Sequence, residues 1–228
     1  MKTEEERAKA FNRKLAERYR AEGKELEWFE ALYSKAKENE AGLPWAERKV
    51  NRFLEKWLKE HPPSFTGKAM VTGCGLGDDA EHLASLGFEV TAFDISATAI
   101  DWCHERFPES PVHYAVGDLL SPPKNWCEDF DFVVESYTLQ MLSEAKRRQG
   151  LVGLSRLVKP GGRLLIICRG REAEEAPGLM PWHLSKEELD FVLSQAFTEV
   201  LFEDFYDEES SPVRRFILEY EKLPQDKA

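Results

Sequence analysis

The stretch MVTGCGLGDD, residues 70–79, passes from an apolar run through Gly73, Gly75 and Gly77 into a helix-forming segment. Absent side chains let a backbone turn sharply and approach a ligand closely, and the amide groups that open the next helix can hold a carboxylate. Further along, the apolar run FEVTAFDIS reaches Asp94, 21 positions after Gly73. In an open parallel sheet the carboxyl ends of such strands lie side by side, so Asp94 is expected beside the glycine turn. There its carboxylate can accept both hydroxyls of an adenosine ribose. A plainer role is also open to these residues, as a tight strand-to-helix turn and a cap for a helix starting near Ser96.

Working outward, short apolar runs alternate with helical patterns from Lys68 onward, the signature of repeated β-α units. Strands are predicted near 68–72, 88–93, 112–116, 130–135 and 162–168, with a helix from Ser143 to Val158. Ser185 and Glu188 form a capping box for a helix reaching about Ala196, and 199–205 and 214–221 read as a terminal pair of strands. This predicts an α/β fold with a doubly wound, mostly parallel sheet. Before it, Thr3 and Glu6 cap an amphipathic helix carrying Phe11, Leu15 and Tyr19, and a second helix spans about Glu25 to Lys37. Pro44 opens a third, in which Val50, Phe53, Leu54, Trp57 and Leu58 share a face until Pro62-Pro63. The expected division is a helical extension or lid at 1–63 and a core at 64–228, with the core covering the aromatic faces of the extension.

The 228 residues suit one domain with a small appendage. A formal net charge of −11 argues against nucleic acid or an anionic membrane as partner, and Lys146-Arg147-Arg148 reads as a solvated helix face. Cys74, Cys103, Cys127 and Cys168 lack metal-knuckle spacing, and MKTEEERAKAF is acidic where a secretory leader would be basic and then apolar. No apolar run reaches membrane-spanning length, so a cytoplasmic protein with reduced thiols is expected, with its oligomeric state open.

Two cofactors suit the glycine turn and Asp94. Gly75-x-Gly77-x-x-Ala80 satisfies the dinucleotide pattern of a nicotinamide-dependent oxidoreductase. Against it, Gly73 and Cys74 already interrupt the strand, and Asp78 and Asp79 bring negative charge to where a pyrophosphate must sit. S-adenosylmethionine carries no phosphate, and its ammonium and sulfonium tolerate acidic neighbours.

The order and distances of TGCGLGDD, FDIS, VGDLL at 116–120 and LVKPGGRLLII at 157–167 resemble the class I S-adenosylmethionine-dependent methyltransferases over residues 68 to about 220. The resemblance implies a seven-stranded sheet with its final strand antiparallel and an N-terminal helical lid. It also implies that Gly73, Gly75 and Gly77 hold the methionine part, that Asp94 takes the ribose, that Ile95 and Leu119 flank the adenine, and that Asp118 meets its amino group. GLPW at 42–45 and GDDAEHLASLGFEV are similar to the thiopurine, thiol and halide methyltransferase branch, with the tellurite-resistance enzymes sharing the texture, which favours a small-molecule acceptor.

Methyl transfer to sulfur, nitrogen or oxygen is a direct displacement, in which the protein aligns the acceptor and excludes water. The acceptor is expected at the ends of the fourth and fifth strands, where ESYTLQ offers Glu135, Tyr137 and Gln140, and MPWHLS offers Trp182 and His183. Glu135 is assigned to both cofactor and acceptor sides, and His183 is the candidate base, with a structural role equally open. Trp45 is the first choice among Trp28, Tyr33 and Trp45 to wall the pocket against cofactor and acceptor. No metal site and no catalytic cysteine are expected. A protein that binds the cofactor without catalysis stays open beside the enzyme and the oxidoreductase.

Overall fold

Alternation along the strands sorts their side chains onto two faces: Ala69 and Val71 point into one apolar cluster, Met70 into the other. The computed structural model describes residues 4–38, 43, 48–62, 66–208 and 211–224, the side chains from residue 10 on. The expected cap at Thr3, the Pro44 break and Trp45 lie outside the described residues. Strands β1 (Lys68–Thr72), β2 (Glu89–Asp94), β3 (His113–Val116), β4 (Phe130–Ser136) and β5 (Val158–Arg171) are mutually parallel where they pair. A two-residue β6 (Leu184–Ser185) lies beside β5, and β7 (Phe197–Tyr206) and β8 (Arg214–Lys222) close the edge. The order is β3-β2-β1-β4-β5-β8-β7, with β8 antiparallel to both neighbours. This is a mixed α/β fold with a mostly parallel central sheet, and β1 is the point where its winding direction reverses.

Helices α4 (Asp78–Ser85) and α5 (Ala97–Arg106) follow β1 and β2, and α6 (Glu144–Leu157) precedes β5. The N-terminal helices α1 (Glu4–Ala21) and α2 (Glu27–Glu38) form a third apolar cluster that includes Leu76, Ala99 and Met180 of the core. By contrast α3 (Arg52–Glu60) packs directly on the sheet, its Trp57 ring stacked 5.8 Å from Phe132. Asn51 opens this helix, its side chain accepting from the Phe53 amide. No helix among the described residues is long and apolar enough to cross a membrane.

Some details differ from the expectation. Strand β5 begins at Val158, which pairs with Phe130, while Arg163 pairs with Phe132. Lys159-Pro160-Gly161-Gly162 therefore bulges from within the strand opposite Asp131, with Gly161 at φ 77 providing the left-handed residue the bulge needs. The expected helix after Ser185 is one turn, α7 (Lys186–Leu189), continuing as a 3-10 stretch to Gln195; the capping box is present. Arg147, expected in solvent, is 4% exposed. Its guanidinium donates to the Leu139 and Leu142 carbonyls and pairs with Glu188, so the buried charge is compensated. Neighbouring Lys146 is half-buried and Arg148 is exposed.

Candidate active site

The carboxyl ends of β1, β2, β3 and β4 lie on one edge of the sheet, and the loops leaving them frame a cavity of about 640 Å³. Helices α1 and α2 and the segment 48–53 contribute to its wall, with Phe29 and Tyr33 facing in from α2. The turn after β1 is tied to β2 by the Cys74 amide, which donates to the Phe93 carbonyl. Gly73 (φ 59) leaves no room for a side chain, since a Cβ there would sit 2.2 Å from Thr138 Oγ1. Gly75 (φ 55) faces the Tyr33 hydroxyl, 3.1 Å from where its Cβ would be. Gly77 lies off the cavity wall: at φ 89 its bare Cα makes room for the Tyr114 hydroxyl and Cys103.

Asp94 is 6% exposed and borders the cavity, one oxygen accepting from the Gly75 amide at 3.0 Å and the other from the Ser96 amide at 2.9 Å. Burial pushes its carboxyl up to about 6 despite these amides. Each carboxylate oxygen has two lone pairs, so the backbone bonds fix its orientation and leave acceptor capacity toward the cavity. Ile95, Asp118 and Leu119 line the same space, Asp118 held by the Leu120 amide at 2.8 Å.

The acidic start of α4 divides its charges. Asp78 forms a two-pronged pair with Arg106, both contacts at 2.7 Å, which neutralises it. Asp79 borders the cavity and accepts from the Asn51 amide at 2.7 Å, linking the glycine turn to the N-cap of α3. Burial is the main cause that lifts its carboxyl to about 6, and Asp78 adds to it.

At the end of β4, Glu135 is fully buried and does not line the cavity. One of its oxygens accepts from the Thr138 and Leu139 amides, shaping the loop, while the other has no hydrogen-bond partner. Burial pushes this carboxyl up to about 7. Tyr137 does line the cavity, in a left-handed backbone conformation (φ 65), its ring 5.4 Å from the Arg215 guanidinium. Burial raises its phenol to about 12, so at neutral pH it is a hydrogen-bond donor and not a base.

Gln140 lines the cavity, its side-chain oxygen accepting from the Arg169 amide and its carbonyl from Trp182. Trp182 and His183 stand outside the wall; the guanidinium groups of Arg20 and Arg147 lie 4.8 and 5.9 Å from the Trp182 ring. Burial lowers the His183 pKa, and the charges of Arg169 and Arg215 lower it further. Trp28 is wholly buried against Phe29, with ring centroids 4.2 Å apart. Cys74 borders the cavity, but its hydrogen bond with Cys103, burial and the Asp94 charge push its thiol well up, so it is not a thiolate.

The structure thus brings Gly73, Gly75, Asp94, Ile95, Asp118, Leu119, Tyr137 and Gln140 around one cavity, and leaves Gly77, Glu135, Trp182 and His183 off its wall. Asp78 and Asp79, which the sequence placed beside the ligand at the glycine turn, also line the wall, whereas sequence reasoning did not single out Phe29, Thr138, Arg169 and Arg215 for it. Arg169 carries a readable signal, a charge closing the apolar run LLIIC; Arg215 and Phe29 do not, because contacts between distant segments place them.

Comparison with known proteins agrees with this geometry. Residues 70–162 match the methyltransferase domain family. A thiopurine S-methyltransferase of Vibrio atlanticus is 24% identical over 182 residues, spanning 73% of this chain and 82% of that protein. A probable thiol methyltransferase 2 of Arabidopsis thaliana is 29% identical over 129 residues, 56% of each chain. Among solved structures, the glycopeptide N-methyltransferase MtfA complexed with S-adenosyl-L-methionine superposes with a TM-score of 0.62 at 16% identity, over 77% of this chain and 95% of the other.

Proposed function

Since this chain is a class I S-adenosylmethionine-dependent methyltransferase of the thiopurine and thiol branch, we propose that it methylates a small-molecule acceptor, with sulfur the favoured atom. One observation carries the reading: a single cavity runs from the glycine turn and Asp94 to Tyr137 at the end of β4. Its volume of about 640 Å³ falls within the span of small-ligand pockets, ~300–1,000 Å³.

The residues fit the cofactor. Asp94 presents free lone pairs for two ribose hydroxyls, and Ile95 and Leu119 offer apolar walls for a base whose amino group Asp118 can accept. The bends at Gly73 and Gly75 allow close backbone approach, and Asp79 supplies negative charge beside them, suited to an ammonium and hostile to a pyrophosphate. Bound here, S-adenosylmethionine supplies an electrophilic methyl group. The chain's own part is to bind, to orient and to exclude water: Tyr137 donates toward the acceptor, and α2 with the 48–53 segment covers the cleft. A soft thiolate needs no base, which agrees with the absence of His183 and Glu135 from the wall.

Thermal melting tests this. S-adenosylhomocysteine at ~100 times its Kd should stabilise by about 2.7 kcal/mol. For a chain of this length that is a rise of roughly 5–11 °C in Tm. NAD(H) should give none; stabilisation by NAD(H) alone would overturn the reading. Labelled methyl transfer to a panel of thiols, amines, phenols and carboxylates then identifies the atom, and failure across the panel would point to a binder without catalysis.

A further inference from the structure

The cavity is electrically lopsided. Its acidic lining residues, Asp78, Asp79, Asp94 and Asp118, cluster at the glycine turn and the ends of β2 and β3. At the ends of β5 and β8, beside Tyr137, the described lining carries Arg169 and Arg215, and the segment leading into α3 adds Arg48, Lys49 and Arg52 to the wall. This occurs in a chain of net charge −11, so it is not an average property of the surface.

Two features show that this basic end is built. Arg169 of β5 and Arg215 of β8 are directly opposite one another in the antiparallel ladder, and both line the cavity. Cross-strand partners share a face, so the two guanidinium groups start from neighbouring positions on the cavity side of the sheet edge. Arg215 is held in place by Asp207, its Nε and Nη2 both 2.7 Å from one carboxylate oxygen, and Arg52 approaches the same oxygen at 3.5 Å.

Resting on the methyl-transfer reading, we propose that the acceptor carries a carboxylate, received between Arg169 and Arg215, while its nucleophilic atom lies beside Tyr137. Guanidinium groups bind carboxylates through paired, planar hydrogen bonds, and an Arg pair flanking a slot selects that geometry over a neutral group. The acidic end of the cavity repels the same carboxylate, so the acceptor enters in one orientation, nucleophile toward the cofactor.

Calorimetric titration with 3-mercaptobenzoate and with its methyl ester tests this, on protein with and without saturating S-adenosylhomocysteine. The acid should bind about tenfold to a hundredfold more tightly than the ester, the worth of one or two hydrogen bonds to a charged group. That preference should shrink with added salt. In Arg169→Gln the acid-to-ester ratio should fall by about tenfold or more, and in Arg169→Lys by less, with melting curves confirming that both variants fold. Equal binding of acid and ester, no binding of either, or a ratio indifferent to Arg169→Gln would each overturn the inference. Failure of S-adenosylhomocysteine to bind would count instead against the methyl-transfer reading, and the cofactor-free titration still tests the carboxylate preference.

Discussion

Replacing Glu30 by alanine should loosen the roof of the cavity from its floor. Glu30 belongs to α2, next to the cavity-lining Phe29 and within one turn of the cavity-lining Tyr33, and its carboxylate reaches across to the start of α5. It accepts from Ser96 Oγ at 2.6 Å, Thr98 Oγ1 at 2.5 Å and the Thr98 amide at 3.2 Å, besides Ser34 of its own helix at 2.9 Å. Ser96 is the N-cap of α5 and follows the Asp94 turn, so these bonds couple the covering helix to the ribose-side loop.

Hydrogen bonds to a charged group are worth ~1.5–3 kcal/mol apiece when buried. Here Glu30 and Thr98 are only half-buried and can turn partly to water, while Ser96 is buried, so the three crossing bonds together should cost about 2–3 kcal/mol. That corresponds to a loss of roughly 4–12 °C in Tm. Burial opposes the Glu30 charge, yet the Ser96, Thr98 and Ser34 bonds outweigh it and hold the carboxyl below its ordinary value. A depressed carboxyl contributes stability above the unfolded pKa that is lost as pH falls through the folded one. The difference between wild type and Glu30→Ala should therefore be full at pH 7 and shrink as pH falls below the ordinary carboxyl value of 4.5. Hydrogen exchange should show faster opening of α2 with little change in β1 and β4, and weaker S-adenosylhomocysteine binding. Unchanged exchange in α2 with unchanged Tm would refute the latch.

Glu135→Gln should carry the opposite pH signature: the wild-type carboxyl at about 7, against an unfolded value near 4.5, makes the folded state bind the extra proton. Wild-type stability from this group thus declines as pH rises through that window, by up to about 3 kcal/mol. The Tm of Glu135→Gln relative to wild type should accordingly improve from pH 5.5 to pH 8, and a difference that does not vary with pH would contradict it. Gly77→Ala places a Cβ 2.5 Å from the Tyr114 hydroxyl at φ 89, and should cost about 2–4 kcal/mol in denaturant unfolding. Because Gly77 is off the cavity wall, the folded fraction should keep its S-adenosylhomocysteine affinity; selective loss of binding would restore Gly77 to the cofactor site.

Much of the architecture was legible because the signals were local. The strands from Lys68 to Val134 are apolar runs bounded by glycine or charge, and Ser185 with Glu188 announces its cap through a four-residue pattern. Asp94 was legible because strand adjacency in a parallel sheet brings it beside the glycine turn, as the Gly75 amide bond records. Side-chain direction was less so. Glu135 precedes Tyr137 by two residues, yet the left-handed turn at Tyr137 sends one into the cavity while the other braces the loop from below. His183 sits in the expected loop, but the Trp182 amide bond to Gln140 seats that loop so that the imidazole is off the wall. Arg147 escaped notice because what buries it, Glu188, Trp182 and two carbonyls, comes largely from segments distant in sequence.

Calorimetric binding of S-adenosylhomocysteine to wild type and to Asp94→Ala probes the cleft most directly. With the carboxylate gone, affinity should drop by about 1.5–3 kcal/mol, roughly tenfold to a hundredfold and more in Kd, while Arg106 and Asp78 at the neighbouring helix start stay paired. Equal affinity in the two proteins would mean that the nucleoside is held elsewhere.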